Sequence, residues 1–266
     1  MPRVRWRPLA LAACLLSGLG DPGFAAEETA VAPDRPDISN STQTVSPGAV
    51  QLETGVEYAW TRQADAPADR RLAWQGTLRI GLARQLELRL DGEPIVRLRG
   101  SDDDTGAGEF SLGLRYRFLD QADQSWWPSL GLEPFVKLPT AQQPIGSGRP
   151  NFGLLGLASW DLPRDFGLDV NAGFVAVGQS RPEGYLVQGL ASASFSKQVT
   201  RRLSGFVELF FASRDQRDGR ENLGFDTGVL FAVTRSVAVD AAVVTSLVGR
   251  GPDYALRAGV SVRFGR

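Results

Sequence analysis

From Gly48 to Phe264 the chain repeats one pattern: about ten residues in which apolar positions alternate with polar or small ones, a turn, and another such run. Successive residues of a strand point to opposite faces, so this alternation predicts sheet with one apolar and one wet side. The first run shows it most clearly. Val50, Leu52, Thr54, Val56, Tyr58 and Trp60 fall on one face, and Gln51, Glu53, Gly55, Glu57 and Ala59 on the other. About twelve strands are expected, at 48–60, 71–82, 86–98, 108–119, 127–138, 151–161, 166–178, 185–197, 202–213, 222–233, 237–247 and 253–264.

The connections alternate in length. Ala83-Arg84-Gln85, Pro163-Arg164-Asp165, Thr200-Arg201 and Thr234-Arg235-Ser236 are tight, whereas 61–70, 99–107, 139–150, 179–184, 214–221 and 248–252 are longer and rich in Asp, Gly, Pro and Arg; only 120–126 breaks the scheme. Short periplasmic turns and long external loops are the asymmetry of an outer-membrane barrel. The expected fold is therefore all-β, an antiparallel up-and-down transmembrane barrel spanning 48–264. A secreted soluble sandwich would also alternate, but with shorter strands.

Residues 1–25 read as a signal peptide: Arg3, Arg5 and Arg7, an apolar core from Leu9 to Leu19 too short to span a bilayer, and the small-x-small site Gly23-Phe24-Ala25. Leu11-Ala12-Ala13-Cys14 also fits a lipobox, which would make Cys14 an acylated N-terminus. Both readings send the chain out of the cytoplasm. Cleavage after Ala25 leaves no cysteine, and so neither disulfides nor thiolate chemistry.

Formal charge is −1, which offers no basic field for nucleic acid. Hydrophobic residues make up 42%, yet no stretch after the signal reaches the eighteen or so apolar residues of a spanning helix. Only a closed barrel then puts the chain in lipid with its backbone satisfied. Aromatic residues fall at strand ends on the apolar parity, including all 4 tyrosines, as they do where strands cross lipid headgroups.

The opposite parity is charged. Arg79, Glu87, Arg89, Asp91, Arg97, Glu109, Arg115, Arg117, Glu133, Lys137, Asp169, Glu208, Asp226, Asp240 and Arg257 are the expected lumen-lining residues. Toward lipid each Arg or Lys would cost about 2–4 kcal/mol near the midplane. Their balanced signs fit either a lattice of ion pairs filling a narrow lumen or a solute path of weak charge selectivity. Pro94 and Pro134 fall within strands and mark bulges or edges. Phe135, Phe206 and Phe210 point inward, as packing or as an apolar contact for a ligand.

The chain has no histidine, which removes Ser-His-Asp hydrolysis and histidine metal sites. No catalytic residue, cofactor or metal site is expected. Asp102, Asp103 and Asp104 lack the spacing of a calcium loop and read as a solvated acidic loop. Gly146-Ser147-Gly148 before Arg149 has no strand-to-helix context and reads as an external loop.

Asp34-Arg35-Pro36-Asp37, Ser41-Thr42-Gln43-Thr44-Val45, Pro47-Gly48 and Gln51-Leu52-Glu53-Thr54-Gly55 resemble the opening of the family called putative MetA-pathway of phenol degradation. Gly113-Leu114-Arg115-Tyr116-Arg117-Phe118, Pro128-Ser129-Leu130 and Phe135-Val136-Lys137-Leu138-Pro139-Thr140 are similar to its later blocks, with Glu109 where the family has Asp. The resemblance implies an outer-membrane barrel that admits aromatic or other small organic solutes, and transfers no site residue.

Residues 26–47, with Arg35, Asp37 and the polar run Ser39 to Thr44, form a periplasmic N-terminal segment that either partly plugs the lumen or trails as a disordered lead. Outer-membrane assembly machinery reads an aromatic at the chain end; Phe264 has the right parity but stands two residues early. The partners expected are outer-membrane lipids, that machinery and a small organic solute. The function expected is a narrow passive channel in the outer membrane, with a non-conducting structural or surface-binding barrel as the alternative.

Overall fold

The alternating runs become strands in a computed structural model, which describes residues 30–63, 67–123, 125–180 and 182–265. The expected signal peptide, Cys14 and residues 26–29 lie outside the described residues. The strands are β1 (Val50–Thr61), β2 (Asp69–Ala83), β3 (Leu86–Arg99), β4 (Asp104–Gly106), β5 (Phe110–Leu119), β6 (Ser129–Leu138), β7 (Asn151–Leu162), β8 (Phe166–Ser180), β9 (Glu183–Gln198), β10 (Leu203–Ala212), β11 (Asn222–Ala232), β12 (Val237–Gly249) and β13 (Tyr254–Phe264). Each pairs antiparallel with its neighbour in sequence, except that β4 and β5 both pair with β3. The ring closes because β1 pairs with both β2 and β13, from Val50 opposite Phe264 to Trp60 opposite Tyr254. Closure removes every edge, the condition for a sheet to sit in lipid.

The thirteenth strand is a fragment. β4 and β5 pair with β3 in one register, Leu98 opposite Asp104 and Gly92 opposite Phe110, with a gap where Pro94 cannot donate. They are the two ends of one barrel strand, so the expected loop at 99–107 is corrected: this strand starts at Asp104. Against β2 the same proline sits at a bulge, between the pairs Trp74–Ile95 and Gly76–Gly92. One extra residue on β3 exchanges its faces. Before it Glu87 and Arg89 are buried inward; after it Val96 is fully buried and Arg97 is exposed, opposite the exposed Leu72. Arg97, expected to line the lumen, thus faces outward.

The connection at 179–184 is also shorter than expected. β8 runs to Ser180 and β9 starts at Glu183, opposite each other in register. This hairpin is the tallest of the wall. At the other end, Arg164 and Asp165 both take left-handed conformations (φ 64° and 57°), which makes the connection from Leu162 to Phe166 tight.

Outward residues form an apolar band around the ring, with Leu52, Val56, Leu112, Leu132, Leu209 and Val229 all exposed. Rings flank it. Trp60 stacks on Tyr254 at 5.5 Å and Phe152 meets Tyr185 at 6.0 Å at the long-loop end, while Phe166 stacks on Phe195 at 5.1 Å at the tight-turn end. Exposed Trp126 and Trp127 extend the second girdle, and the Trp160 indole donates to the Trp126 carbonyl at 2.9 Å. A band of exposed apolar side chains between two aromatic girdles is a lipid-facing surface. No described helix is long and apolar enough to cross a membrane, and none is needed.

Candidate functional site

The inner wall is covered by the chain's own N-terminal segment. Too polar for lipid and without a strand period, residues 31–46 find partners among the inward charges and make a circuit inside the barrel. The circuit starts at a turn, where the Val31 amide donates to the Arg235 carbonyl at 2.7 Å. Arg35 reaches Gln75 of β2 and Asp240 of β12, and Arg257 of β13 donates to the Pro36 carbonyl. The Ile38 and Ser39 amides and the Ser39 hydroxyl all donate to Glu208 of β10 at 2.5–2.8 Å. Asn40 bridges Asn171 of β8 and Glu133 of β6, the Thr42 amide donates to Ser159 of β7, and the Val45 amide to Glu87 of β3. Gly48 then joins β2 through Gly81, where a Cβ would come within 2.0 Å of the Ser46 carbonyl oxygen. Between Asp34 and Val45 every bond to the wall involves a side chain.

Asp34 is the electrostatic centre. Its carboxylate lies 2.5 Å from Arg89, 2.8 Å from Arg115 and 3.2 Å from Arg79. Glu53 and Glu87 hold Arg79 at 3.0 and 2.9 Å, and Glu133 holds Arg115 at 2.8 Å. All these side chains are buried. A buried charge is tolerable only when paired and hydrogen-bonded, and four carboxylates here enclose three guanidiniums. Burial by itself would push the Asp34 carboxyl up, but Arg115, Arg79 and Arg89 outweigh it and hold it far below the usual carboxylate range.

The facing wall is acidic. Glu208 and Asp226 are directly opposite each other on β10 and β11. Both Asp226 oxygens lack a hydrogen bond among the described residues, and Arg257 stands 3.9 Å away. Asp169 accepts from Ser159, and Asp37 accepts from Ser194 at 2.9 Å. Burial, then the charges of Glu208 and Asp169, push the Asp37 carboxyl well above its ordinary value.

The other expected residues lie nearer the two mouths. Asp91 takes Arg89 at 3.2 Å, and Glu109 takes Lys137 at 2.5 Å and two bonds from Ser147. Arg117 pairs with Asp120 at 2.7 Å at the periplasmic rim. Arg97 joins none of these. Glu53 and Glu57, absent from the expected set, sit on the inward parity of the first strand and were readable there; Glu57 holds Arg257 at 2.7 Å and Arg71 at 3.2 Å. Asp34 had no such signal, because it stands in a segment without period.

Phe135, Phe206 and Phe210 lie over glycines of the next strand. A Cβ on Gly153, Gly228 or Gly224 would stand 2.2, 2.7 or 2.1 Å from the respective ring. Rings covering cross-strand glycines serve packing. Above the segment, cavities open outward. One of about 450 Å³ has Arg35 among its lining with Arg71, Asp91, Glu93, Glu109 and Lys137. Two others at the outer end measure about 710 and 750 Å³. A recess of about 110 Å³ beside Ile38 is lined chiefly by Leu155, Leu190, Phe210 and Phe211. Among the described residues no group of three or more carboxylate or thiol side chains could hold a metal ion.

The family described as Putative MetA-pathway of phenol degradation matches residues 33–264. In fold the chain is similar to an outer membrane channel from Pseudomonas putida F1 (TM-score 0.64, 18% identity, covering 88% of this chain and 100% of that one). It is also similar to the NanC porin (TM-score 0.53, 11% identity, 80% and 98% covered). A third similar structure is the KdgM porin in complex with disordered oligogalacturonate (TM-score 0.53, 8% identity, 82% and 99% covered). No curated protein matches the sequence. The shared barrel fold and the apolar belt place this protein in the outer membrane.

Proposed function

This chain belongs to the family described as Putative MetA-pathway of phenol degradation, and we propose that it is a narrow passive channel for small organic solutes, plugged by residues 31–46. One observation carries the reading. The segment is docked through side chains rather than a strand ladder, beneath cavities that open outward. Side-chain contacts can be released as a unit without unpairing the wall. With Arg97 outside and Glu53 and Glu57 inside, acidic side chains outnumber basic ones on the described wall, which disfavours anions, and the recess beside Ile38 supports an apolar or aromatic solute. With no histidine in the chain, passive transfer fits the lumen better than catalysis.

Planar-bilayer recording of the full chain and of a variant lacking residues 27–44 tests this. The full chain is expected to show small or brief openings and the deletion steady, larger steps. Equal conductance would remove the plug. Silence from both would overturn the channel and leave a non-conducting barrel held by its own charge lattice, the reading the buried ion pairs otherwise favour.

A further inference from the structure

The bulge at Pro94 leaves an unusual feature on the outer surface. Arg97 shares its face with Leu72, its partner across β2–β3, and Leu72 is in turn opposite Tyr58. Two residues higher, Arg70 lies between Trp60 on β1 and Arg99 on β3. Arg70, Arg97 and Arg99 therefore stand together on the lipid-side parity of two paired strands. Neighbouring strands lie about 4.8 Å apart and two residues rise about 7 Å, so the backbone origins of all three fit within one lipid headgroup.

Their depth is set by the aromatic girdle. Arg97 is level with Tyr58, and Arg70 and Arg99 with the Trp60–Tyr254 stack, over which Arg62 is also placed, 5.6 Å from the Trp60 ring. Among the described residues Arg70 and Arg97 have no acidic partner within 4.0 Å, and Arg99 has only Asp103, at 2.5 Å in an exposed pair. The charge is one-sided. Among the described residues, the same face at the outer end of β7–β9 presents Phe152, Phe174, Tyr185 and Val187, and the cation beside them, Arg149, is paired with Glu183. An arginine facing lipid is costly at the midplane and nearly free at headgroup depth. There its planar fork suits a phosphate, which it can hold by two parallel bonds.

We propose that Arg70, Arg97 and Arg99 form a binding site for the phosphorylated headgroup of outer-leaflet lipopolysaccharide. The site is on the outside of the barrel and independent of whether the lumen conducts. A lipid held there anchors the outer end of the β1–β3 side of the wall, whose opposite end carries the Gly48–Gly81 junction with the N-terminal segment.

The test uses full-length protein refolded free of lipopolysaccharide, with its thermal unfolding midpoint followed by heat-modifiable gel mobility. Lipopolysaccharide is expected to raise the midpoint, whereas the dephosphorylated lipid and millimolar inorganic phosphate leave it unchanged. The triple variant Arg70→Ala, Arg97→Ala, Arg99→Ala is expected to need at least tenfold more lipopolysaccharide for the same shift. Arg214→Ala, in the connection between β10 and β11, should bind as the parent does. Should the alanine triple fail to fold, the lysine triple, which keeps the charge and loses the fork, is expected to bind several-fold more weakly. Parent-like binding by the triple variants, an equal loss in Arg214→Ala, or the same stabilisation by free phosphate would each overturn the proposal.

Discussion

Asp34 shows how one side chain can hold a whole segment. It is the only member of the central cluster that does not come from the wall, and three guanidiniums converge on it. Removing one partner of a buried charge network costs about 3–5 kcal/mol, because the rest stay buried without compensation. Asp34→Ala is therefore expected to release the segment: proteolysis between residues 31 and 46 should speed up, and conductance should rise toward that of the 27–44 deletion. Unchanged proteolysis would refute this. Asp37 acts with the opposite sign. Burial and the neighbouring Glu208, Asp169 and Asp34 raise its carboxyl above the value it has when the segment is free, so docking is strongest when Asp37 is protonated. The contribution is full below the ordinary aspartate range near 3.8 and is lost as pH rises through the raised value. Asp34, held low, stays ionised throughout that window and does not oppose the trend. Open probability should thus increase with pH, and Asp37→Asn should keep the channel closed and flatten the profile. A parent-like pH profile in that variant would remove Asp37 from the mechanism.

At the scale of strands, packing inside the wall depends on rings laid over glycines. Phe210 faces Gly224 in register, with no room for a methyl group between them. Gly224→Val is expected to destabilise by about 1–3 kcal/mol, the usual cost of overpacking. Urea unfolding in detergent should show the loss, and Phe210→Ala in the same chain should recover part of it, since contacting residues do not add. Strict additivity would show that the ring and the glycine do not meet. Alternation located the strands to within a few residues, because facing lipid or water is decided residue by residue. It failed at Arg97 and at the start of the β4–β5 strand for one reason: a proline bulge adds a residue and exchanges the faces beyond it. Pro94 gave warning of a bulge but not of which face each later residue would take.

The whole molecule rests on lipid rather than protein covering its outer face. Spin labels at Leu78 and Leu112, both on the outward parity, are expected to show high oxygen and low water-soluble relaxant accessibility in proteoliposomes. Aqueous signals at both positions would mean a different solvent for that face. The charged interior is equally a property of the closed ring. Arg35 pairs with Asp240 across a sequence separation of 205 residues, and Asn40 reaches Glu133 and Asn171. Such contacts exist only once the wall has curved back on itself, which makes the circuit of the segment an outcome of closure.

Sequence alone determined the class of the molecule: an exported barrel, its strand positions, its apolar belt and the acidic and basic side chains it turns inward. Each of these follows from a local choice between lipid and water, written in the period of two. Tertiary structure decided which charges meet, that Asp34 stands at their centre, that residues 31–46 run round the inside, and that Arg97 joins Arg70 and Arg99 outside. Those outcomes depend on register, on one bulge and on distances across the ring, none of which leaves a periodic mark on the chain.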